Sequence, residues 1–223
     1  MSIKNRGVVM TGEALKLFAV VCMLIDHVAW AWVPVDSPAG IVMHIIGRVT
    51  MPIMAFMIAE GYIHTHDFKR YAGRLLIFAI VSDIPFMIFE RTNAGHNVMF
   101  TLFLGLMAIW FVDHADRSYK AVFGASLMIV AALYLRLDWS FIGVLLCVLF
   151  WKFRGNFLAV SISAVALSIM TVIVYGQVWQ FGMLLSLPLL RLYDGKRGQG
   201  SKWGFYVFYP GQFVVLSILR AVI

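Results

Sequence analysis

Apolar runs of roughly membrane-spanning length follow one another along the whole chain, parted by short segments that carry charges, prolines and glycines. They fall at about 14–33, 39–63, 71–90, 97–113, 119–136, 138–153, 156–175, 179–193 and 203–222. A helix needs about 20 residues to cross the hydrocarbon core, with a lower bound near 17. The pattern predicts an all-α, polytopic transmembrane helix bundle of about nine spans, the sixth and eighth being the shortest. Composition argues against a water-soluble fold: 62% of the 223 residues are hydrophobic and only 13% are charged. Ordinary soluble domains carry about one-quarter charged residues. Little chain remains for a second unit, so residues 1–223 are expected to form a single domain.

Sorting Lys and Arg by span end tests the count. Lys4, Arg6, Lys69, Arg70, Arg74, Arg117, Lys120, Lys152, Arg154, Arg191, Lys196, Arg197 and Lys202 fall on one side, and only Arg91, Arg136 and Arg220 on the other. Cationic loops stay in the cytoplasm. The expected topology has a cytoplasmic N-terminus and an outside C-terminus, in a bacterial cytoplasmic (inner) membrane. The net charge of +7 is thereby a topological feature. With no basic stripe interleaved with aromatics, nucleic-acid binding is not expected. Asp26 and His27 interrupt the first run, which is long for a signal peptide and reads as a retained span. Cys22 and Cys147 lie within apolar runs and read as small buried hydrophobes. The Gly-rich basic stretch Asp194–Lys202 reads as a flexible topogenic connection.

Ionisable groups inside a bilayer are costly, and each is a functional candidate. At a rise of 1.5 Å per residue, Asp26 and His27 lie about 10 Å below the outer end of the first span, and Arg48 about 13 Å below it. Asp83 lies about 10 Å down and Thr101 about 6 Å. Successive helices run in opposite directions, so this common depth does not follow from sequence spacing. Arg48 is expected to pair with Asp26 or Asp83, because a buried charge needs a partner. His27 suits acid–base work near neutral pH. Pro52 and Pro85 deny backbone hydrogen bonds to Arg48 and Val81 and are expected to kink the second and third spans beside this layer. Glu60, His64 and His66 sit at the cytoplasmic end of the second span without a clear third metal ligand, so no metal site is expected. Lys69, Arg70 and Arg74 are topogenic and also suit the phosphates of a cytoplasmic ligand.

Several segments resemble the TraX family, which includes a pilin N-terminal acetylase. They are Leu15–His27, Gly47–Tyr62, His64–His66, Tyr71–Leu75, Ser82–Pro85, Asn97–Gly105, Asp138–Leu146, Leu192–Gly198 and Phe208–Pro210. The resemblance runs in order through nearly the whole chain. It implies a membrane-embedded acetyltransferase that draws on cytoplasmic acetyl-CoA, with His27 as general base or transient acetyl acceptor and Asp26 orienting it. Arg48, Asn97 and Thr101 would then hold the thioester or its oxyanion. Glu60, Asp83, Tyr209, Lys69, Arg70 and Arg74 complete the expected binding set. The expected partners are the lipid bilayer and an acceptor that is a pilin, a glycan or a lipid. Two positions depart from the family pattern: Gln212 stands where His is expected, and Asp83 where Glu is expected. A proton-coupled transporter and a catalytically silent assembly factor are the competing classes.

Overall fold

The computed structural model describes residues 9–91, 95–200 and 203–222, and among them the chain is helical throughout, with two isolated bridges and no strands. Five of the helices begin where a short polar side chain accepts a free backbone N–H. Thr11 caps α1 (Gly12–Trp32), and Ser37 caps α2 (Pro38–Gly47), which has proline in its first turn. After α3 (Thr50–His64), Asp67 caps α4 (Phe68–Glu90) and Asn97 caps α5 (Val98–Asp113). The helices α6 (Ser118–Tyr134) and α7 (Ser140–Lys152) start without a side-chain cap. Asn156 caps α8 (Phe157–Tyr175), which stops at Gly176 with φ of 69°. A 3₁₀ segment, Val178–Leu185, leads into the short α9 (Ser186–Arg191), and α10 (Gly204–Val222) completes the bundle.

Loops gather at two ends. Where α1 begins, Met10 N–H donates to Leu192 O at 2.8 Å, and Tyr62 Oη donates to Asp113 at 2.6 Å. Where α1 ends, Asp138 N–H donates to His96 O at 2.8 Å, and Arg220 donates to Phe89 O at 3.3 Å. The exterior is apolar as well as the core. Ile77, Ile84, Val122, Phe123, Leu158 and Ile173 are exposed, around an interior that packs Leu, Ile, Met and Phe together with small residues. Such an exterior demands lipid rather than water. Inside, helices approach closely at small residues. A Cβ on Gly105 would stand 2.6 Å from Cys147 Sγ, which packs α5 directly on α7. Cys22 and Cys147 are both buried and unbridged, as read from their apolar runs.

Five helical stretches are long and apolar enough to cross a bilayer: Gly12–Trp32, Pro38–His64, Phe68–Glu90, Phe157–Tyr175 and Gly204–Val222. Val98–Asp113, Ser118–Tyr134 and Ser140–Lys152 are apolar but shorter. This is a membrane protein whose described residues form an all-helical fold. Two expected spans differ in detail. The run at 39–63 breaks at Arg48–Val49 into α2 and α3, where Pro52 in the first turn of α3 denies Arg48 O its usual partner. The run at 179–193 is 3₁₀ for its first half. Helix α4, by contrast, continues through Pro85. The stretch after Asp194 is no loose connection: Lys196 O and Arg197 O accept the N–H groups of Gly12 and Glu13 at 2.8 and 2.9 Å. The loop thereby satisfies donors that the start of α1 would otherwise leave open.

Candidate functional site

The break between α2 and α3 turns Arg48 back toward α1. There, Arg48 Nη2 donates to Asp26 Oδ2 at 2.6 Å, while His44 Nδ1 lies 2.8 Å from Asp26 Oδ1. An arginine-paired carboxylate only accepts, so His44 carries its proton on Nδ1. The ring of His44 is fully buried, with Trp30 at 4.4 Å and Trp179 at 5.6 Å between centroids. The guanidinium carbon of Arg48 lies 5.1 Å from the centre of the Trp139 ring, a cation–π contact. This cluster requires α2 to lie almost against the Asp26 side chain, and Gly47 permits it. A Cβ there would fall 2.3 Å from Asp26 Cβ. Gly47→Ala should therefore cost about 1–3 kcal/mol through overpacking, read as a lowered unfolding temperature in detergent. Wild-type stability would mean that α2 can shift freely.

Of the two acids, Asp26 is thus the one that pairs with Arg48. Asp83 takes other partners: His96 Nδ1 lies 2.6 Å from its Oδ2, and Asn97 Nδ2 donates to its Oδ1 at 2.9 Å. Asn97 also donates to Ala79 O at 2.8 Å and accepts from Met99 N–H at 3.0 Å, so its amide is fully used. With both Asp83 oxygens accepting, His96 donates through Nδ1, which leaves the lone pair of the neutral ring on Nε2. Thr101 Oγ1 donates to the carbonyl of Asp138 and so fixes the connection between α6 and α7.

Expected as the residue that Asp26 orients, His27 has a different setting. Both Asp26 oxygens are occupied by His44 and Arg48. His27 instead packs against Phe213 at 4.8 Å and Phe89 at 5.7 Å, and its Nδ1 is buried. Gln212 on α10 stands beside it, its buried amide placed to hydrogen-bond the ring.

These groups converge on one cavity of about 310 Å³. Asp26, His27, Arg48, His96, Asp138 and Tyr209 line it, and Glu90 and Arg136 stand in the same wall. Asp83, Asn97 and Thr101 lie behind the lining and hold His96 and the α6–α7 connection in place. Glu60 is elsewhere, accepting from Tyr193 Oη at 3.1 Å. Lys69 and Arg70 are exposed, with Arg70 Nε 3.0 Å from Asp67. Arg74 lies over the Tyr71 ring at 6.0 Å. The sequence reading overlooked His44, Glu90, His96 and Asp138. The adjacency of His96 to Asn97, in a loop that returns to Asp83, was the available signal for one of them.

A probable fimbrial assembly protein, FimC of serogroup H1, from Dichelobacter nodosus is 27% identical over 244 aligned residues, covering 95% of this chain and 96% of that protein. An uncharacterized protein of Rickettsia prowazekii (strain Madrid E) is 26% identical over 107 residues, covering 48% of this chain and 40% of its own length. No solved structure matches. The family model described as TraX protein matches residues 11–220, nearly the full length that carries the cavity and its supporting helices, and the chain belongs to the TraX family.

Proposed function

We propose that this protein is a membrane-embedded acetyltransferase of the bacterial cytoplasmic membrane, moving acetyl groups from cytoplasmic acetyl-CoA to an amine or hydroxyl acceptor on the opposite side. The observation that carries this reading is the convergence of His27, the Asp83-oriented His96 and Arg48 on one cavity. The proposed topology has nine spans with the N-terminus in the cytoplasm, so that His96, Arg136 and Asp138 stand at the outer mouth. A pilin N-terminus is the favoured acceptor, supported by a relative named as a fimbrial assembly protein.

In the proposed reaction His27 is the transient acetyl acceptor. Its imidazole nitrogen bonds to the acetyl carbon, the carbon–sulfur bond of the thioester breaks, and the proton lost by the ring goes to the departing thiolate. The acceptor nitrogen then bonds to the same carbon as the bond to His27 breaks. His96 Nε2 takes the acceptor proton, which returns to His27. Arg48, anchored by Asp26, offers positive charge for the oxyanion of each step. Asp83 and Asn97 position His96, and Thr101 positions the Asp138 connection.

The test uses purified full-length protein with acetyl-labelled acetyl-CoA. Label should accumulate on the chain and discharge onto an added peptide with a free N-terminal amine. Absence of both labelling and transfer would overturn the assignment. Solute flux in proteoliposomes without any response to acetyl-CoA would favour a transporter instead.

A further inference from the structure

A second cavity, of about 350 Å³, opens beside the first turns of α1 at the opposite end from the His96 mouth. Its walls come from α1, α3, α4, α5, α10 and the loop before α10, and they include Lys16, Arg197 and Tyr71. Met54, Leu102 and Phe205 line both this cavity and the one that holds His27. The two spaces therefore stand back to back, separated by an apolar partition about one side chain thick. Lys16 is half-buried and forms no ion pair among the described residues.

The chain places Arg197 beside Lys16 by construction. Backbone bonds from Gly12 and Glu13 to Lys196 O and Arg197 O clamp the loop on α1. Gly198 takes φ of +88°, and Gly200 lies so close that a Cβ there would overlap the Glu13 carboxylate. Glu13 also faces the cavity as its one acidic group, and Arg74 stands behind Tyr71 and Tyr206. Two cations against one carboxylate leave the mouth positive, while Val20, Met57, Ile58 and Leu75 make its depth apolar. A positive rim over an apolar shaft suits a ligand with phosphates at one end and a slender arm at the other.

Resting on the acetyl-CoA reading, we infer that this second cavity binds the donor, with Lys16 and Arg197 on the phosphates and the thioester end reaching His27 past Met54, Leu102 and Phe205. The shared chemistry is an organic phosphate, which an anionic lipid headgroup also presents.

The experiment measures binding of coenzyme A to the full-length protein in neutral detergent. Pantetheine, which lacks phosphate, and phosphatidylglycerol serve as comparison ligands. Lys16→Ala and Arg197→Ala should each weaken coenzyme A binding at least about tenfold, the loss expected for one charge-assisted contact. Pantetheine binding should be unchanged in both. Lys16→Arg should recover affinity, and unfolding temperatures would identify any variant that fails to fold. Wild-type binding that both alanine variants retain would overturn this site while leaving the acetyltransferase standing. Binding of phosphatidylglycerol but not coenzyme A would make the cavity a lipid site and remove both proposals.

Discussion

Asp26→Ala is expected to destabilise the fold by about 3–5 kcal/mol, the usual cost of stripping a buried charge of its partner. Both carboxylate oxygens are in use, at 2.8 Å from His44 Nδ1 and 2.6 Å from Arg48 Nη2. Without them, a guanidinium and an imidazole N–H remain inside a helix bundle with little water to compensate. The loss should appear as a low yield of monodisperse protein and a large fall in unfolding temperature. Adding Arg48→Met to Asp26→Ala should recover part of that loss, because it removes the orphaned charge rather than restoring the pair. Asp26→Asn should fall between, since the amide retains one acceptor oxygen. If Asp26→Ala matched the wild type in stability, the cluster would not be what holds α1 against α2. The double variant is also informative about function, because a protein that folds without Arg48 should still lack its charge on the oxyanion.

This cluster was partly legible beforehand, and the reason is geometric. A constant rise per residue converts position along a span into depth, which puts Arg48 in one layer with Asp26 and Asp83 and leaves either acid as its partner. Pro52 marked the break that frees Arg48, because a missing N–H has local consequences. Depth alone does not give azimuth: the resemblance implies that Asp26 orients His27, whereas its oxygens serve His44 and Arg48. The pairing of Asp83 with His96 was hidden for another reason: His96 lies in a connection whose path no helical period encodes. Lys16 and Arg197 escaped notice because one sits inside an apolar run and the other among topogenic cations. Only the backbone bonds between the loop and α1 bring them to one cavity mouth. The short α7, Ser140–Lys152, shows a similar limit: its flanking charges located it, but its connection to α6 carries Asp138 and Trp139 into the site.

His27→Gln is expected to abolish labelling of the chain by acetyl-CoA and to lower transfer by about 10²–10⁴-fold or more, the range for losing a group that handles the reacting atoms. Glutamine is the informative replacement because His27 is packed against Phe89 and Phe213, where alanine would also leave a hole. An amide hydrogen-bonds but neither accepts an acetyl group readily nor shuttles a proton near neutral pH. His96→Gln should separate the two steps. The label should still reach the chain, because His27 is intact, but its discharge onto a peptide amine should slow by a similar factor. Asp83→Asn should mimic that defect: once the carboxylate is gone, nothing compels His96 to keep its proton on Nδ1 and its lone pair on Nε2. Gln212→His should be tolerated if His27 carries the acetyl group, because an imidazole there can still hydrogen-bond the ring as Gln212 does. Persistence of labelling in His27→Gln, combined with its loss in His96→Gln, would exchange the two assignments and make the Asp83–His96 pair the nucleophilic centre. The two histidines reach the cavity from different elements, α1 and the connection before α5. Their variants can therefore be combined, and a double variant no worse than His27→Gln alone is the result expected of two residues acting in sequence on the same acetyl group.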